Sequence, residues 1–313
     1  MKVNKYKIKL QNKMENIKGI LVSIIAPMNN HIANGGEKLL GNASSIKRRN
    51  DGRVYISGQM QRHVLFSAIE RINFDDENRR NTYVSNGDGI SSAIEVDLRA
   101  DLGGFMHPSA GNYSGRRISP LTVTPAVAMK ASDITRDLLV RVKMNEATDS
   151  RDQALATKEM SDSDIMIMNF FLDITTLSIT KIFKYEGEYH VNTEFVKHVG
   201  ENERRRRVRL FLEATRSMTD FANQARNAVS GEPQKVLIVF DNKLSRKASR
   251  YFEADEKEKQ NLIEELNDRN AASFIGDDTT DAKNVNTAYK DAFDFLEKNE
   301  LYDPCGGDDS VSK

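Results

Sequence analysis

Apolar residues gather in a few dense runs along this chain, and long polar stretches separate them. Residues 19–27, GILVSIIAP, are apolar and rich in β-branched side chains, which predicts a buried strand. A loop rich in Asn and Gly follows over 28–42, then a short basic segment over 43–50, ASSIKRRN. Asp51 and Gly52 supply a turn, after which residues 53–56 read as a second short strand. Ser57 is a good N-cap for a helix running to about Asn73. Within it Met60, Val64, Ala68 and Ile72 recur every four residues, with Leu65 and Ile69 beside them. Gln59, Arg62 and His63 are left near its N-terminal end.

Residues 74–88 are polar and turn-rich. Residues 102–129 break both periodicities: they hold four Gly and three Pro among many small or hydroxyl residues, with Arg116, Arg117 and two aromatics. Such a segment is too long for an ordinary connection, and excursions of this kind are functional or disordered as a rule. Strand-like sequence returns over 164–174, where Ile165, Ile167, Phe171 and Ile174 are apolar. A long helix is expected over 204–228 with Val208, Phe211, Leu212, Met218, Phe221 and Ala225 inward, stopped by Ser230 and Gly231. Residues 235–240, KVLIVF, predict another buried strand. Helices are expected near 253–267 and 287–299, and a frayed tail over 305–313. No internal repeat is found. Strands and helices alternate irregularly, so the fold class is α+β.

Length and composition narrow the picture. The 313 residues suit one large domain with insertions or two small ones, and 29% charged against 39% hydrophobic residues fits a soluble globular protein. No apolar run reaches the roughly 18 residues that span a bilayer, so no membrane partner is expected. The N-terminal MKVNKYKIKLQNK is basic without an apolar core and is not a secretory signal. Cys305 is the single cysteine, which leaves no disulfide or cysteine metal site and points to a reducing cytoplasm. Net charge is zero but uneven: residues 1–62 hold 12 Lys and Arg against 3 Asp and Glu, and residues 253–313 hold 7 against 17. That asymmetry suits a surface that grips a polyanion, or copies that stack basic on acidic surface, and equally a set of solvated faces.

The candidate chemistry lies in residues 53–63, RVYISGQMQRH. A strand delivers the chain to a helix N-terminus marked by Ser57, Gly58 and Gln59, where free backbone N–H groups and the helix dipole favour an anion. Arg62 and His63 add donors about one turn on, and Lys47, Arg48, Arg49 and Arg53 lie just upstream. Together they could hold several consecutive phosphates; the bland alternative is a capped helix with surface arginines.

Several segments in order resemble one family. RVYISGQMQRH is similar to a basic strand followed by Ile-Ser-x-Gln-x-x-Arg/Lys at the start of a first helix, and GNASSIKRRN resembles the RNA-contacting loop before it. DLGGFM and RRISPLTVTPAVAM, then ATKEM with a Phe-Phe-Leu-Asp-Ile strand, then FANQARN and the KVLIV strand, look like later motifs of the same family. The family is the Cascade backbone group of CRISPR systems, the "Cas seven" proteins of the RAMP superfamily, in the DevR-like branch of type I systems. The resemblance covers about residues 16–240. Gly103 stands where an aromatic is common and Phe221 where Gly is common.

The resemblance implies an RNA-recognition-motif-like, ferredoxin-like palm over 1–252 with an inserted thumb, about 103–129, and finger-like segments. The acidic residues 253–313 fall outside it, as a helical region with a partly disordered tail. It also implies a guide (crRNA) binding subunit that oligomerises helically along the RNA and meets target DNA through the guide, alongside other Cascade subunits, in antiviral defence. Lys47, Arg48, Arg49, Arg53, Ser57, Gln59, Arg62, His63, Arg116 and Arg117 are the expected RNA contacts, and Phe105 or Met106 the thumb's wedge.

No catalytic residue, metal or cofactor is expected. The five histidines, His31, His63, His107, His190 and His198, show no metal-ligand cluster, and His190 and His198 read as surface residues. Family members that cut RNA use an Asp in the loop after the first strand. Here residues 28–42 hold Asn29, Asn30 and Asn34, with Glu37 the one acid, and an amide is no general base. Two readings compete with the backbone subunit. One is an endoribonuclease of the same superfamily that processes precursor RNA. The other is an unrelated monomeric RNA-recognition domain, which would need aromatics on exposed strands.

Overall fold

The first apolar run forms β1 (Gly19–His31), the spine of a ten-stranded sheet. The computed structural model describes residues 14–306 apart from 15, 35, 40–42, 88–90, 108–114, 146–149 and 226, with backbone alone for 107, 115, 141–145 and 150–154. After β1 come β2 (Glu37–Lys38), β3 (Ala43–Ser45) and β4 (Tyr55–Ile56), then α1 (Gly58–Asp75) and the short α2 (Leu98–Gly103). A two-stranded hairpin, β5 (Phe105–His107) and β6 (Gly115–Arg117), precedes β7 (Leu121–Val123) and β8 (Ala126–Ala128). The long β9 (Ile134–Asn145) and β10 (Ser150–Asp173) follow, then a second separate hairpin, β11 (Ile179–Glu186) and β12 (Tyr189–Lys197). The chain closes with α3 (Glu201–Thr215), β13 (Lys235–Asp241), a 3-10 turn (Lys247–Arg250), α4 (Glu256–Asp268), β14 (Ala272–Asp277) and α5 (Val285–Lys298).

The centre of the sheet runs β14-β13-β1-β10, all antiparallel, with β7 and β8 antiparallel on the far side of the inner half of β10. Strand β3 adds in parallel at Thr157 and Lys158, which makes the sheet mixed. Both faces are covered, so β1 and β13 read as unbroken apolar runs and not as alternation. Ile20, Val22 and Ile24 of β1 pack with Met168 and Phe170 of β10 and Ile238 and Phe240 of β13 under α1, α3 and α5. Leu21, Phe171, Leu237 and Val239 point the other way, beneath Ala248, Tyr251, Phe252 and Leu266 of the C-terminal segment.

The fold is therefore α+β with a large mixed sheet, and it departs from the sequence expectations in three places. Residues 121–128 of the expected thumb are strands of the main sheet, with Leu121, Ala126 and Ala128 in its core. The expected helix over 204–228 ends at Thr215, and Met218 and Phe221 enter the core from a loop. The Arg71 guanidinium donates to Asp220, the Thr219 hydroxyl (3.1 Å) and the Ser217 carbonyl (3.0 Å) there, Asn223 takes φ +65°, and a Cβ on Gly231 would run into the Phe221 ring. Residues 253–306 do not form a separate helical region. Strand β14, invisible as a strand in AASFIGD, extends the sheet, while α4 covers one of its faces and α5 the other.

One buried charge cluster joins these parts. Asp101, fully buried in α2, accepts from Arg207 of α3 (2.6 Å), from the Ser178 N–H (2.8 Å) and hydroxyl (2.6 Å), and from Arg117 of β6. Arg117 also donates to the Thr176 (2.8 Å) and Ile179 (3.1 Å) carbonyls. Burial would raise the Asp101 pKa, but the charges of Arg207 and Arg117 and the Ser178 hydroxyl outweigh it and hold it below the usual carboxylate range. A carboxyl lowered in the folded state stabilises fully above its unfolded value, about pH 4, and loses that contribution as pH falls through the folded value. Asp101→Asn is expected to cost about 3–5 kcal/mol at pH 7, because two buried guanidiniums lose their counter-charge. Urea unfolding at pH 7 and pH 3 should show the gap from wild type narrowing in acid; a gap independent of pH would remove the charge as its cause.

Candidate nucleic-acid interface

The basic segment and the short strand after it form one tight hairpin over residues 47–55. Arg49 N–H donates to the Arg53 carbonyl (2.9 Å), and Arg48 and Val54 bridge the two arms. Gly52 N–H returns to the Arg49 carbonyl (3.0 Å) with φ +82°, a conformation that calls for glycine. Lys47, Arg48, Arg49 and Arg53 therefore share one small rim. Arg48 and Arg49 are exposed, and Lys47 and Arg53 half-buried. Arg48 stands 3.8 Å from the buried Glu159, which Arg136 also holds at 3.0 Å. Arg53 is bound to Asp51 (2.7 Å) and lies 4.0 Å from Glu253. Part of the charge asymmetry seen in the sequence is thus satisfied within one chain, as it is at Lys235–Asp277 and Lys197–Asp303.

Strand β4 runs from this hairpin directly into α1. The Ser57 hydroxyl accepts from the Met60 N–H (3.2 Å), as an N-cap should, and Gln59 and His63 stand exposed on the first turns. Arg62 turns elsewhere. Its half-buried guanidinium donates to the Gly103 carbonyl and lies over the Phe66 ring, which Arg99 covers from 4.6 Å. Burial, with help from the Arg99 charge, pushes the Arg62 pKa down. Arg62 therefore braces α1 against the base of the β5–β6 hairpin.

At that hairpin the structure separates residues that the sequence grouped. Arg116 and Met106 are opposed across the strands, and both are exposed. Arg117 was expected on a phosphate, but its guanidinium is buried and committed to Asp101, as described above. Phe105, opposite Arg117, is half-buried, which leaves Met106 as the exposed wedge candidate. Pro108, Gly111 and Tyr113 of the expected thumb lie outside the described residues.

The FANQARN loop folds against the end of β1 beside the basic hairpin. Asn223 donates to the Ile32 carbonyl and Asn227 to the Asn30 carbonyl, each at 3.1 Å. His31 is fully buried against Asp164. His198, expected at the surface, is partly covered and bonds Glu95 (2.6 Å) and Thr180 (2.8 Å).

The β11–β12 hairpin was not singled out, although KIFKYEGEYHV carries both its alternation and its turn. Every residue from Lys181 to His190 is exposed. Phe183 and Tyr185 pack around the His190 ring at 5.5 and 5.6 Å, and Tyr189 is 79% exposed. Large aromatics held in solvent are a surface awaiting a partner.

Gly104 sets the take-off of the β5–β6 hairpin at φ +65° and ψ 173°, a region reserved for glycine, and a Cβ there would run into the Arg117 carbonyl and the Ser119 nitrogen. Gly104→Ala is expected to cost about 1–3 kcal/mol, read as a lower unfolding midpoint. An unchanged midpoint would mean that this backbone is free to relax.

A family model described as CRISPR-associated negative auto-regulator DevR/Csa2 matches residues 28–243, well over half of the chain. A solved chain described as "CRISPR RNA-guided surveillance complex" superposes with a TM-score of 0.52 at 15% identity, covering 91% of this chain and 94% of that one. Another, described as "CRISPR RNA-guided surveillance complex, pre-nicking", gives 0.52 at 12% identity, covering 89% and 100%. At such identities the likeness is one of fold. The search of curated proteins returns no match.

Proposed function

The chain belongs to the CRISPR-associated DevR/Csa2 family, and from that premise we propose that it binds guide RNA as a repeated backbone subunit of a Cascade-type surveillance complex. The observation that carries the reading is the Lys47-Arg48-Arg49 run, half-buried at Lys47 and exposed at Arg48 and Arg49, on a braced hairpin that leads into the capped N-terminus of α1. Lys47, Arg48, Arg49 and Arg53 would meet phosphates, with Ser57, Gln59 and His63 close behind. The connectivity supports an RNA-recognition-like palm. Strand β1, helix α1, strands β7–β8, strand β10, helix α3 and strand β13 follow one another in the chain, and the strands lie in the sheet order β13-β1-β10-β7/β8. That is the split strand-helix-strand arrangement.

The sheet face opposite α1 and α3 is occupied by Tyr251, Phe252 and α4. An RNA-recognition domain that stacks bases on its open sheet would need that face, so RNA on this chain would follow the loops at the sheet's end. The thumb in this reading is the β11–β12 hairpin. It projects with exposed Phe183, Tyr185 and Tyr189 for a base step or a neighbouring copy, and Lys181 and Lys184 for phosphates. Met106 and Arg116 on β5–β6 add a smaller contact.

Further copies of the chain, other Cascade subunits and target DNA paired to the guide would be the partners, in cytoplasmic antiviral defence. No described helix is long and apolar enough to cross a membrane. The subunit binds without cutting in this reading: the loop after β1 offers amides, and His31 lies buried against Asp164. The endoribonuclease alternative requires a cut product from precursor RNA, and none is expected.

Two measurements test the reading. Single-stranded RNA affinity should fall with salt at about 0.7 log units per phosphate contacted, so Lys47→Ala, Arg48→Ala and Arg49→Ala together should flatten the slope by about 2. An unchanged slope would take these residues out of the site. Phe183→Ala, Tyr185→Ala and Tyr189→Ala, all at exposed positions, should leave the melting temperature unchanged and abolish RNA-bound assemblies in size-exclusion chromatography. Assemblies of wild-type size would reject the thumb assignment.

A further inference from the structure

Beneath the basic hairpin lies a buried polar group that no part of the proposed interface uses. Asp164, on β10 opposite Met28 of β1, is 3% exposed. One carboxylate oxygen accepts from the Ser132 hydroxyl (2.6 Å), and the same hydroxyl accepts from the Val54 N–H of the hairpin (3.1 Å). The other carboxylate oxygen lies 2.7 Å from His31 Nε2. His31 Nδ1 accepts from the Ala33 N–H (3.4 Å), so the tautomer that fits both contacts carries its proton on Nε2 and donates to Asp164. One residue on, Asn34 Nδ2 donates to the Lys47 and Tyr55 carbonyls, each at 3.2 Å, and the Asn34 side-chain oxygen accepts from Gly36 N–H (2.9 Å). The Ser132 N–H donates to the Gly52 carbonyl at the hairpin's turn (3.2 Å).

These contacts reach both arms of the hairpin, from Asp164 through Ser132 and from Asn34, three residues beyond the His31 that Asp164 holds. Ser132 holds the outgoing arm at Val54 and the turn at Gly52. His31 fixes the end of β1 from which Asn34 ties Lys47 to Tyr55. The burial pushes the Asp164 pKa up, but the hydrogen bonds from His31 and Ser132 outweigh it and hold it below the usual range, so the group accepts as an anion. A charged acceptor makes the stronger hydrogen bonds. The hairpin is otherwise short and polar, with little apolar burial of its own beyond Val54 and Ile46.

We propose that Asp164, acting through Ser132 on one side and His31 and Asn34 on the other, is the positioning residue that fixes the basic hairpin in its phosphate-binding arrangement. It touches no ligand itself. Its effect is to present Lys47, Arg48, Arg49 and Arg53 already ordered, so that RNA binding does not bear the entropy of ordering them. The proposal rests on the reading that these side chains meet phosphate, and its test separates the two.

The full-length chain is compared as wild type, Ser132→Ala, Ser132→Thr and Asp164→Asn, by amide hydrogen exchange and by titration with a single-stranded RNA oligonucleotide at several salt concentrations. In Ser132→Ala and Asp164→Asn, exchange at the Arg49 and Tyr55 amides should rise about tenfold or more, the scale of one lost charge-assisted hydrogen bond. The central amides of β1 and β13 should keep wild-type protection. RNA affinity should fall about five- to tenfold with a flatter salt slope, and Ser132→Thr, which keeps the hydroxyl, should restore both readouts. Equal acceleration of hairpin and central-strand exchange would reduce Asp164 to a general stabiliser and overturn the proposal. So would a loosened hairpin with wild-type affinity and slope. If wild type binds RNA no better than the Lys47, Arg48, Arg49 triple alanine variant, the functional reading fails. The exchange data then decide alone whether Asp164 orders the hairpin.

Discussion

The arrangement depends on a carboxylate with no exposure to water. Asp101 gathers Arg117, Arg207 and Ser178, and these residues belong to elements far apart in the chain. Removing a charge from water is costly, and the cost is met only when every partner arrives with good geometry. The cluster therefore acts as a registration point. The take-off of the β5–β6 hairpin, the turn into β11–β12 and the middle of α3 have to be correct together. Both small hairpins leave the body next to this junction, which gives them fixed bases.

A second constraint explains why the basic hairpin lies at the sheet's end. The central strands are sealed on both faces, by α1, α3 and α5 on one side and by α4 with the Tyr251–Phe252 turn on the other. A polyanion finds no open sheet to lie on. The accessible backbone is at the end of β1, where its last residues with the turn that follows, the FANQARN loop and the 47–55 hairpin bond to one another through Asn34, Asn223 and Asn227. Asparagine suits this task because it donates and accepts at once and adds no charge to the positive rim.

What the sequence disclosed follows the same physics. Strands β1 and β13, the Ser57 cap and the core face of α1 were legible because burial on both faces, capping and four-residue spacing are local signals. The basic segment was legible as a cluster of charge. The ends of structures were not. Nothing local marks the halt of α3 at Thr215 while Met218 and Phe221 continue the helical apolar rhythm from a loop. Strand β9 and the outer half of β10 carry apolar residues into solvent, with Leu138, Val140 and Leu155 all more than half exposed, so alternation gave no inward face to find. The expected thumb over 103–129 joined two things that composition cannot separate: a hairpin anchored by a buried arginine, and two short core strands flanked by Pro120 and Pro125.

Arginine shows most clearly where sequence reading stops. The run ERRRRVR in α3 holds more arginines than the KRR of the hairpin, yet of them only Arg209 is exposed. Arg204 and Arg207 have no exposure. Arg204 donates to the Leu177, Ile174 and Tyr302 carbonyls, Arg206 to Glu203 and Asp76, and Arg205 to carbonyls at the end of α5. A planar fork of donors satisfies carbonyl-rich chain ends that water cannot reach, which is why arginine and not lysine occupies these places. In the hairpin the same residue type has few protein acceptors, and Lys47 and Arg49 have no side-chain hydrogen bond or salt bridge among the described residues. What separates a structural arginine from one with donors to spare is whether the fold has already used them, and only the three-dimensional arrangement records that.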